Sequence, residues 1–448
     1  MKQESFFSSV CRLAIPAALQ SMLQSSFSIV DQIMIGQLGN VAIAGVGLAG
    51  KFSSIFSVVA AAVGAVAGIM ISQYLGQGNR RETRRSFWLN FALAAAVAGL
   101  FTALCLLRPE AILSLYTTDA ETRLAGSAYL SVIAWTFFPL AGATMLSALL
   151  RCMEKAKLPL YASVASALLN TGLNYLLIFG KCGLPALGAP GAAIATAVSQ
   201  WGNFLLMVCM LPKGAGLFGA DGAQCPAHAR FHTGQYLSVL LPVLVCEGLW
   251  SVGENVYAAI YGHMGTVASA AMTLTNPVQG LVIGALCGLS QAAGVIVGKA
   301  LGRHDFDGAY RSAKRLMLYG LGGALCLSAL VVLGSGVYVK IYQVSPGVRL
   351  LTRRILYAYA AIAPVKVLNM ILGGGVIRSG GKTGYVMAID LVGTWLFGVP
   401  LGYLAAFCWG LSIEWVYYIL SLEECVRLLL GLLVFRKRRW MQTLRAEA

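Results

Sequence analysis

Apolar residues run along this chain in long unbroken stretches, not in the alternation of a half-buried strand. Stretches of about 20 such residues, enough to cross roughly 30 Å of hydrocarbon as a helix, recur along its whole length. They fall at 13–36, 46–72, 88–108, 127–149, 159–180, 191–211, 236–261, 271–297, 316–337, 354–377, 385–405 and 412–435. Continuous runs favour helices over a barrel, because in lipid a helix pairs every backbone group within its own segment. The pattern predicts an all-α integral membrane protein of twelve transmembrane helices.

A second pattern lies in the glycines and prolines. Shifted by 226 positions, the chain overlays itself without a gap: Pro16 meets Pro242, Gly36 meets Gly262, Gly39 meets Gly265, and Gly76 meets Gly302. Matches of Pro and Gly in ungapped register indicate a duplication. The expected organisation is two six-helix pseudo-symmetric lobes, 1–212 and 236–448, the second ending in a short basic cytoplasmic tail. A polar cytoplasmic linker at 213–235 joins them. Six spans per lobe preserve orientation, so the repeats are related by an axis along the membrane normal. Folds of this kind place substrate between lobes that rock against each other.

Composition agrees. With 58 % hydrophobic and 11 % charged residues and a mean hydropathy of +0.75, the chain has more apolar surface than a soluble core could bury. No short apolar stretch near residue 1 ends in a small-x-small cleavage site, so the first span is expected to stay as an anchor.

The net charge of +16 would suit nucleic acid if it formed a soluble patch. Instead Lys and Arg crowd the loops of one side, in Arg80-Arg81-Glu-Thr-Arg84-Arg85, Arg151, Lys155, Lys157, Arg311, Lys314, Arg315, Arg378 and the tail Arg436-Lys437-Arg438-Arg439. The positive-inside rule puts that side, with both termini, in the cytoplasm of a cell (inner) membrane. The expected partners are the lipid bilayer and a small-molecule xenobiotic or metabolite, with no nucleic acid and the chain a monomer.

Enzyme chemistry finds no foothold. The eleven cysteines are scattered without metal-type spacing, which argues against a disulfide framework or metal site. His228, His232, His263 and His304 lie away from acidic clusters, and Gly373-Gly374-Gly375 and Gly380-Gly381 lack the Lys-Ser/Thr of a phosphate loop. No cofactor is expected, and without an ATP site any uphill work falls to an ion gradient.

Candidate chemistry sits in polar stripes within the spans. On a helix of about 100° per residue, Gln20, Gln24, Ser28 and Asp31 share a stripe about 80° wide. Such a stripe is costly against lipid, so it should face the bundle interior or a wet cavity, where a carboxylate marks an ion or substrate path. The alternative is a carboxylate capped by hydroxyls or solvated near the interface. In the fifth span Ser163, Ser166, Asn170 and Asn174 share a face; the two amides suit a cation, a carboxylate or plain helix packing. In the seventh, Glu247, Ser251, Glu254 and Tyr261 line one face, and Tyr257 is the repeat mate of Asp31. Glu423 and Arg427, four residues apart, are expected to pair, while Lys366 and Asp390 stand as lone intramembrane charges.

These residues resemble the multidrug and toxic compound extrusion (MATE) family of cation-coupled antiporters over nearly the full length. The resemblance is carried by Val30-Asp31-Gln-Ile-Met-Ile-Gly36-Gln-Leu-Gly39, Leu75-Gly76-Gln-Gly78, Leu169-Asn170-Thr-Gly-Leu-Asn174, Leu187-Gly188-Ala-Pro-Gly191 and Val376-Ile-Arg378-Ser-Gly-Gly381. It implies that Asp31 is the proton- or cation-binding carboxylate of the first lobe, with Gln24, Asn170, Asn174 and Thr196 around it and Pro16 as a helix bend. The only metal implied is Na⁺ at Asp31. Some members carry a second acid where this chain has Asn174, and some pair acids on spans seven and ten. The tenth span here has none, so Glu247, Ser251, Glu254, Tyr257 and Tyr261 outline a second-lobe cavity without that pair.

The expected function is secondary active efflux by alternating access, exchanging H⁺ or Na⁺ for amphipathic, often cationic organic compounds. The alternative within the superfamily is a lipid-linked oligosaccharide flippase, which tends to have extra spans and a cavity rich in Arg or Lys. An intramembrane prenyltransferase would need clustered Asp for Mg²⁺, which the sequence lacks, and a channel would conduct without exchange.

Overall fold

The computed structural model describes residues 6–38, 40–181, 183, 185–211, 233–340 and 345–444. Most of the linker, the extreme termini and the Ser28 side chain fall outside them. Helix follows helix throughout: α1 (Phe6–Gly36), α2 (Asn40–Gly76), α3 (Arg80–Leu107), the short α4 (Pro109–Ser114), then α5 (Ala120–Ile133) and α6 (Phe137–Cys152) joined by one 3₁₀ turn. Next come α7 (Lys157–Phe179), α8 (Ala189–Cys209), α9 (Thr233–His263), α10 (Thr266–Gly302), α11 (Phe306–Tyr338) and α12 (Pro346–Asn369). The chain ends with α13 (Thr383–Asp390), α14 (Val399–Tyr403), α15 (Ile413–Ser421) and α16 (Glu423–Arg436). Among the described residues, eleven helical stretches are long and apolar enough to cross a membrane. The twelfth predicted span, 412–435, is built from α15 and α16, which meet at Leu422 and are each too short to cross alone.

Two spans are not plain α-helix. Met370–Ile377 after α12, Leu391–Gly398 after α13 and Leu404–Cys408 after α14 are π-helical. Wider turns of this kind are rare and gather at functional sites.

By packing, the chain forms two compact units. The first comprises Leu19–Ile71 and Arg80–Arg230; the second comprises Met1–Ala18, Ser72–Asn79 and Phe231–Ala448. Contacts therefore group the start of α1 and the end of α2 with the C-terminal half of the sequence.

In the first unit, the α7–α8 hairpin sets the geometry of the site. Gly180 ends α7 at φ +66°, a left-handed conformation that costs glycine little. The Leu187 N–H then returns to the Leu177 carbonyl at 2.9 Å. One turn on, Gly191 lets the two helices touch: a Cβ there would stand 2.7 Å from the Leu177 carbonyl oxygen. The Ser166 hydroxyl closes the seam by donating to the Ser199 carbonyl at 2.7 Å. The Asp119 carboxylate accepts the Thr122 N–H at 2.9 Å to cap α5, which holds its carboxyl below the usual carboxylate range.

In the second unit the basic tail is tied down. The buried Gln73 accepts the Leu444 N–H at 2.7 Å and donates to the Ser379 and Gln442 carbonyls at 2.6 and 3.1 Å. Trp440 is fully buried and stacks on Phe435, which stacks on Tyr310 with centroids 4.5 Å apart.

Gly191→Ala should destabilise the protein by about 1–3 kcal/mol, since its new methyl meets backbone. Gly172→Ala on α7, with nothing within 4 Å, should be neutral or stabilising by up to about 1 kcal/mol. Thermal unfolding in detergent of both variants checks the contrast; equal effects would refute the close approach.

Candidate functional site

Three helices of the first unit converge on Asp31. The Asn174 side chain on α7 donates from Nδ2 to Asp31 Oδ1 at 2.6 Å and to Asn170 Oδ1 at 3.2 Å. Asn170 donates in turn to the Thr196 hydroxyl on α8 at 3.4 Å, and Thr196 donates to the Ala192 carbonyl at 2.9 Å. Asn170 and Asn174 are 7 % and 1 % exposed, so this relay is interior. The serine face of α7 meets α1 as well, with Gln20 Nε2 donating to Ser163 Oγ at 3.0 Å.

What Asp31 does not meet is as informative. Among the described residues no Lys or Arg stands within ion-pair distance of it. Its donor is a neutral amide whose own Oδ1 is buried and unpartnered. An acceptor left so is costly unless a water, proton donor or cation satisfies it. Carboxylate, amide and hydroxyl oxygens are hard donors, and together they can hold a proton or a small hard cation.

The structure brings together Asp31, Asn170, Asn174 and Thr196. It leaves Gln24 exposed and outside the relay, and it runs α1 unbroken through the buried Pro16. Sequence reasoning missed Tyr129 on α5, close enough to feel the Asp31 charge. A single tyrosine in an apolar span carried no signal for it.

In the second unit Arg378 and Arg427 are paired with carboxylates. Arg378 donates to Glu247 at 2.7 Å and to Cys246 Sγ at 3.3 Å. The Cys246 thiol donates to Asp390 at 2.6 Å, Asp390 pairs with Arg427, and Arg427 lies 3.5 Å from Glu424. Asn369 completes the chain by donating to Glu424 Oε2 at 2.8 Å.

Three expectations change here. Asp390 is not a lone charge. Arg427 takes Asp390 and Glu424 in place of Glu423, because adjacent acids on α16 point about 100° apart and Glu423 turns to accept the Tyr257 hydroxyl. Arg378, placed by sequence in a cytoplasmic loop, lies within this network with a side chain 14 % exposed.

Two cavities open among these groups. One of about 270 Å³ is lined by Glu247, Trp250, Lys366, Arg378, Asp390 and Arg427, among others. The other, about 220 Å³, is lined by Glu254, Tyr257, Tyr261, Gln279, Tyr417 and Glu423, among others. Lys366 and Glu424 belong to both walls. Of the predicted second-lobe residues, Glu247 lines the larger cavity and Glu254, Tyr257 and Tyr261 the smaller. Ser251 lines neither; its backbone carbonyl accepts from Asn255.

Arg427→Met should destabilise the protein by about 3–5 kcal/mol, because it strands buried carboxylates. Adding Asp390→Leu should recover part of that loss. A single variant as heat-stable as the parent in detergent would show that the network is not holding these helices.

The sequence matches the MatE family over residues 16–176 and 242–404, two segments whose starts differ by the repeat offset. It is 25 % identical over 439 residues to the probable multidrug resistance protein NorM of Thermotoga maritima, covering 96 % of this chain and 92 % of that one. Similarity of 28 % over 418 residues links it to a NorM protein of Burkholderia pseudomallei, covering 91 % and 87 %. An uncharacterized transporter of Bacillus subtilis, YisQ, is 22 % identical over 441 residues, covering 97 % and 95 %. Among solved structures, MATE in complex with MaL6 superposes with a TM-score of 0.88 at 18 % identity, covering 96 % of each chain. A MOP superfamily transporter from Pyrococcus furiosus follows at 0.85 and 17 %, covering 96 % of this chain and 95 % of that one. The structural likenesses establish the fold.

Proposed function

The chain belongs to the MatE family, a multi-pass membrane efflux transporter of small molecules, and from that premise we propose that it is an H⁺- or Na⁺-coupled antiporter worked by Asp31. Its substrates are amphipathic, often cationic organic compounds. The observation that carries this reading is the hydrogen bond from Asn174 to Asp31, which holds an intramembrane carboxylate without neutralising it.

An amide can serve both states of its neighbour. Its N–H₂ donates to an ionised Asp31, and its carbonyl oxygen can accept from a protonated acid or ligate Na⁺. Loading Asp31 therefore trades one hydrogen bond for another and does not break an ion pair. Asn170 and Thr196 extend the relay behind that amide, and Pro16 gives α1 a point at which to bend. Access alternates: a cation binds from outside, the first helix rearranges, substrate is expelled, and the cavity reopens inward. The two duplicated six-helix lobes, 1–212 and 236–448, are the bodies that move. The protein resides in the cell (inner) membrane as a monomer with both termini cytoplasmic, and it needs no cofactor.

In everted vesicles energised by respiration, a cationic dye should dissipate part of the proton gradient, or do so only when Na⁺ is present. Asp31→Asn should abolish that coupled flux while expression, insertion and thermal stability stay near wild type. Flux that survives in Asp31→Asn removes the site assignment. Dependence on Na⁺ at every pH assigns the ion as Na⁺.

A further inference from the structure

Within the second unit the ends of α2 and α10 cross, and they cross as repeat mates. A Cβ on Gly76 would collide with the Lys299 carbonyl, and one on Gly302 with the Gln73 carbonyl. Gly76 and Gly302 are 226 positions apart, as are Gln73 and Lys299. The two helices therefore make one contact twice, as a self-complementary interface does. Between these contacts Gly298 lies against the side chain of its own mate, Ser72. Such a crossing is held by close packing, and a gap of about 1 Å forfeits up to half of the dispersion attraction.

The tail binds over that crossing. Arg438, in the left-handed region at φ +54°, turns the chain back from α16. Its guanidinium pairs with Asp307 at 2.9 Å and lies 4.4 Å over the Tyr310 ring of α11. The buried Trp440 then packs its backbone on Gly380, where no side chain would fit. From there successive residues clip the two crossing helices in turn. On α2, the Gln73 side chain donates to the Gln442 carbonyl and accepts the Leu444 N–H, while Gln77 donates to the Leu444 carbonyl at 2.9 Å. On α10, the Leu301 carbonyl accepts the Thr443 hydroxyl at 2.8 Å. With the tail away, the buried Gln73 Oε1 would lose the Leu444 N–H, and a buried acceptor so stranded is costly.

We propose that residues 438–444 form a strap across the α2–α10 crossing, and that the strap must let go of α2 before the protein opens to the cytoplasm. This rests on the transport reading above, which puts this end of the helices in the cytoplasm and requires it to open in each cycle. The strap continues from α16 and is anchored on α11 through Arg438, so it parts from α2 and stays with α10. Packing at the glycines gives the crossing its shape, and the strap adds the directional bonds that hold it shut.

Hydrogen exchange of the full-length protein in lipid nanodiscs, read by mass spectrometry, tests this coupling. Gln77→Leu removes one strap bond and leaves the glycine crossing intact. Exchange should rise together at 440–444, at 73–77 of α2 and at 299–302 of α10, by about fivefold for one hydrogen bond. The α7–α8 hairpin should exchange as in the wild type. Acceleration confined to 440–444 overturns the proposal, because the tail then only covers the surface. So does an unchanged rate in all three segments, or a rise that includes the hairpin. If Gln77→Leu fails to fold, Thr443→Val cuts the bond to Leu301 and meets the same criteria.

Everted vesicles expose the cytoplasmic face, so a larger inward-open fraction lowers the dye concentration that half-saturates transport. With rhodamine 6G, a cationic dye, Gln77→Leu should lower it by up to about fivefold. An unchanged value beside faster exchange at the crossing overturns the gating role. A wild type that moves no dye while the three segments exchange together refutes the transport reading and not the strap.

Discussion

The rest of the site depends on a carboxylate in a membrane helix held by an amide. A hydrogen bond to a charged group contributes about 1.5–3 kcal/mol, whereas breaking a buried ion pair costs about 3–5 kcal/mol. Had Asn174 been a lysine, Asp31 would be locked, and no proton or alkali ion could displace its partner at ordinary concentrations. With Asn174 at 2.6 Å, the carboxylate is oriented without an ion-pair partner among the described residues. The tight α7–α8 hairpin, with Gly180 at its corner and Gly191 at its point of contact, puts the Asn170–Thr196 relay behind that amide.

The second unit solves the same problem in the opposite way. Arg378 and Arg427 are fixed by carboxylates, and Cys246, Asn369 and Tyr257 bond to the acids around them. Duplication supplied two similar helical frames, and substitution then separated their chemistry. At the repeat positions, Asp31 in one corresponds to Tyr257 in the other. The tyrosine hydroxyl donates to Glu423, an acid from a different helix, α16.

Much of this was legible in the sequence, for identifiable reasons. Span positions follow from hydropathy because lipid leaves the backbone few options. The duplication shows because Pro and Gly are constrained by backbone geometry and so keep their register. Asp31, Asn170 and Asn174 stand out because polar groups are rare and costly in such spans. Their convergence came from the family resemblance alone, since a stripe gives a helix's face and not its neighbour. The wrong partner for Arg427 has the same origin: spacing along α16 favoured Glu423, and Asp390 from α13 was invisible to that reasoning. Tyr129 lacked any local signal at all.

Arg378 illustrates a subtler limit. In an uninterrupted α-helix it and Lys366, twelve residues apart, would point about 120° away from each other. Met370–Ile377 is π-helical, and its wider turns lag in phase until both cations reach the same cavity wall. The helix therefore works as a phase shifter, and its angular offset is stored in the eight residues of that segment. Winding those eight residues as plain α-helix at unchanged length would swing the end of the helix about 120° around its own axis. Arg378 would leave Glu247 although neither residue had been altered.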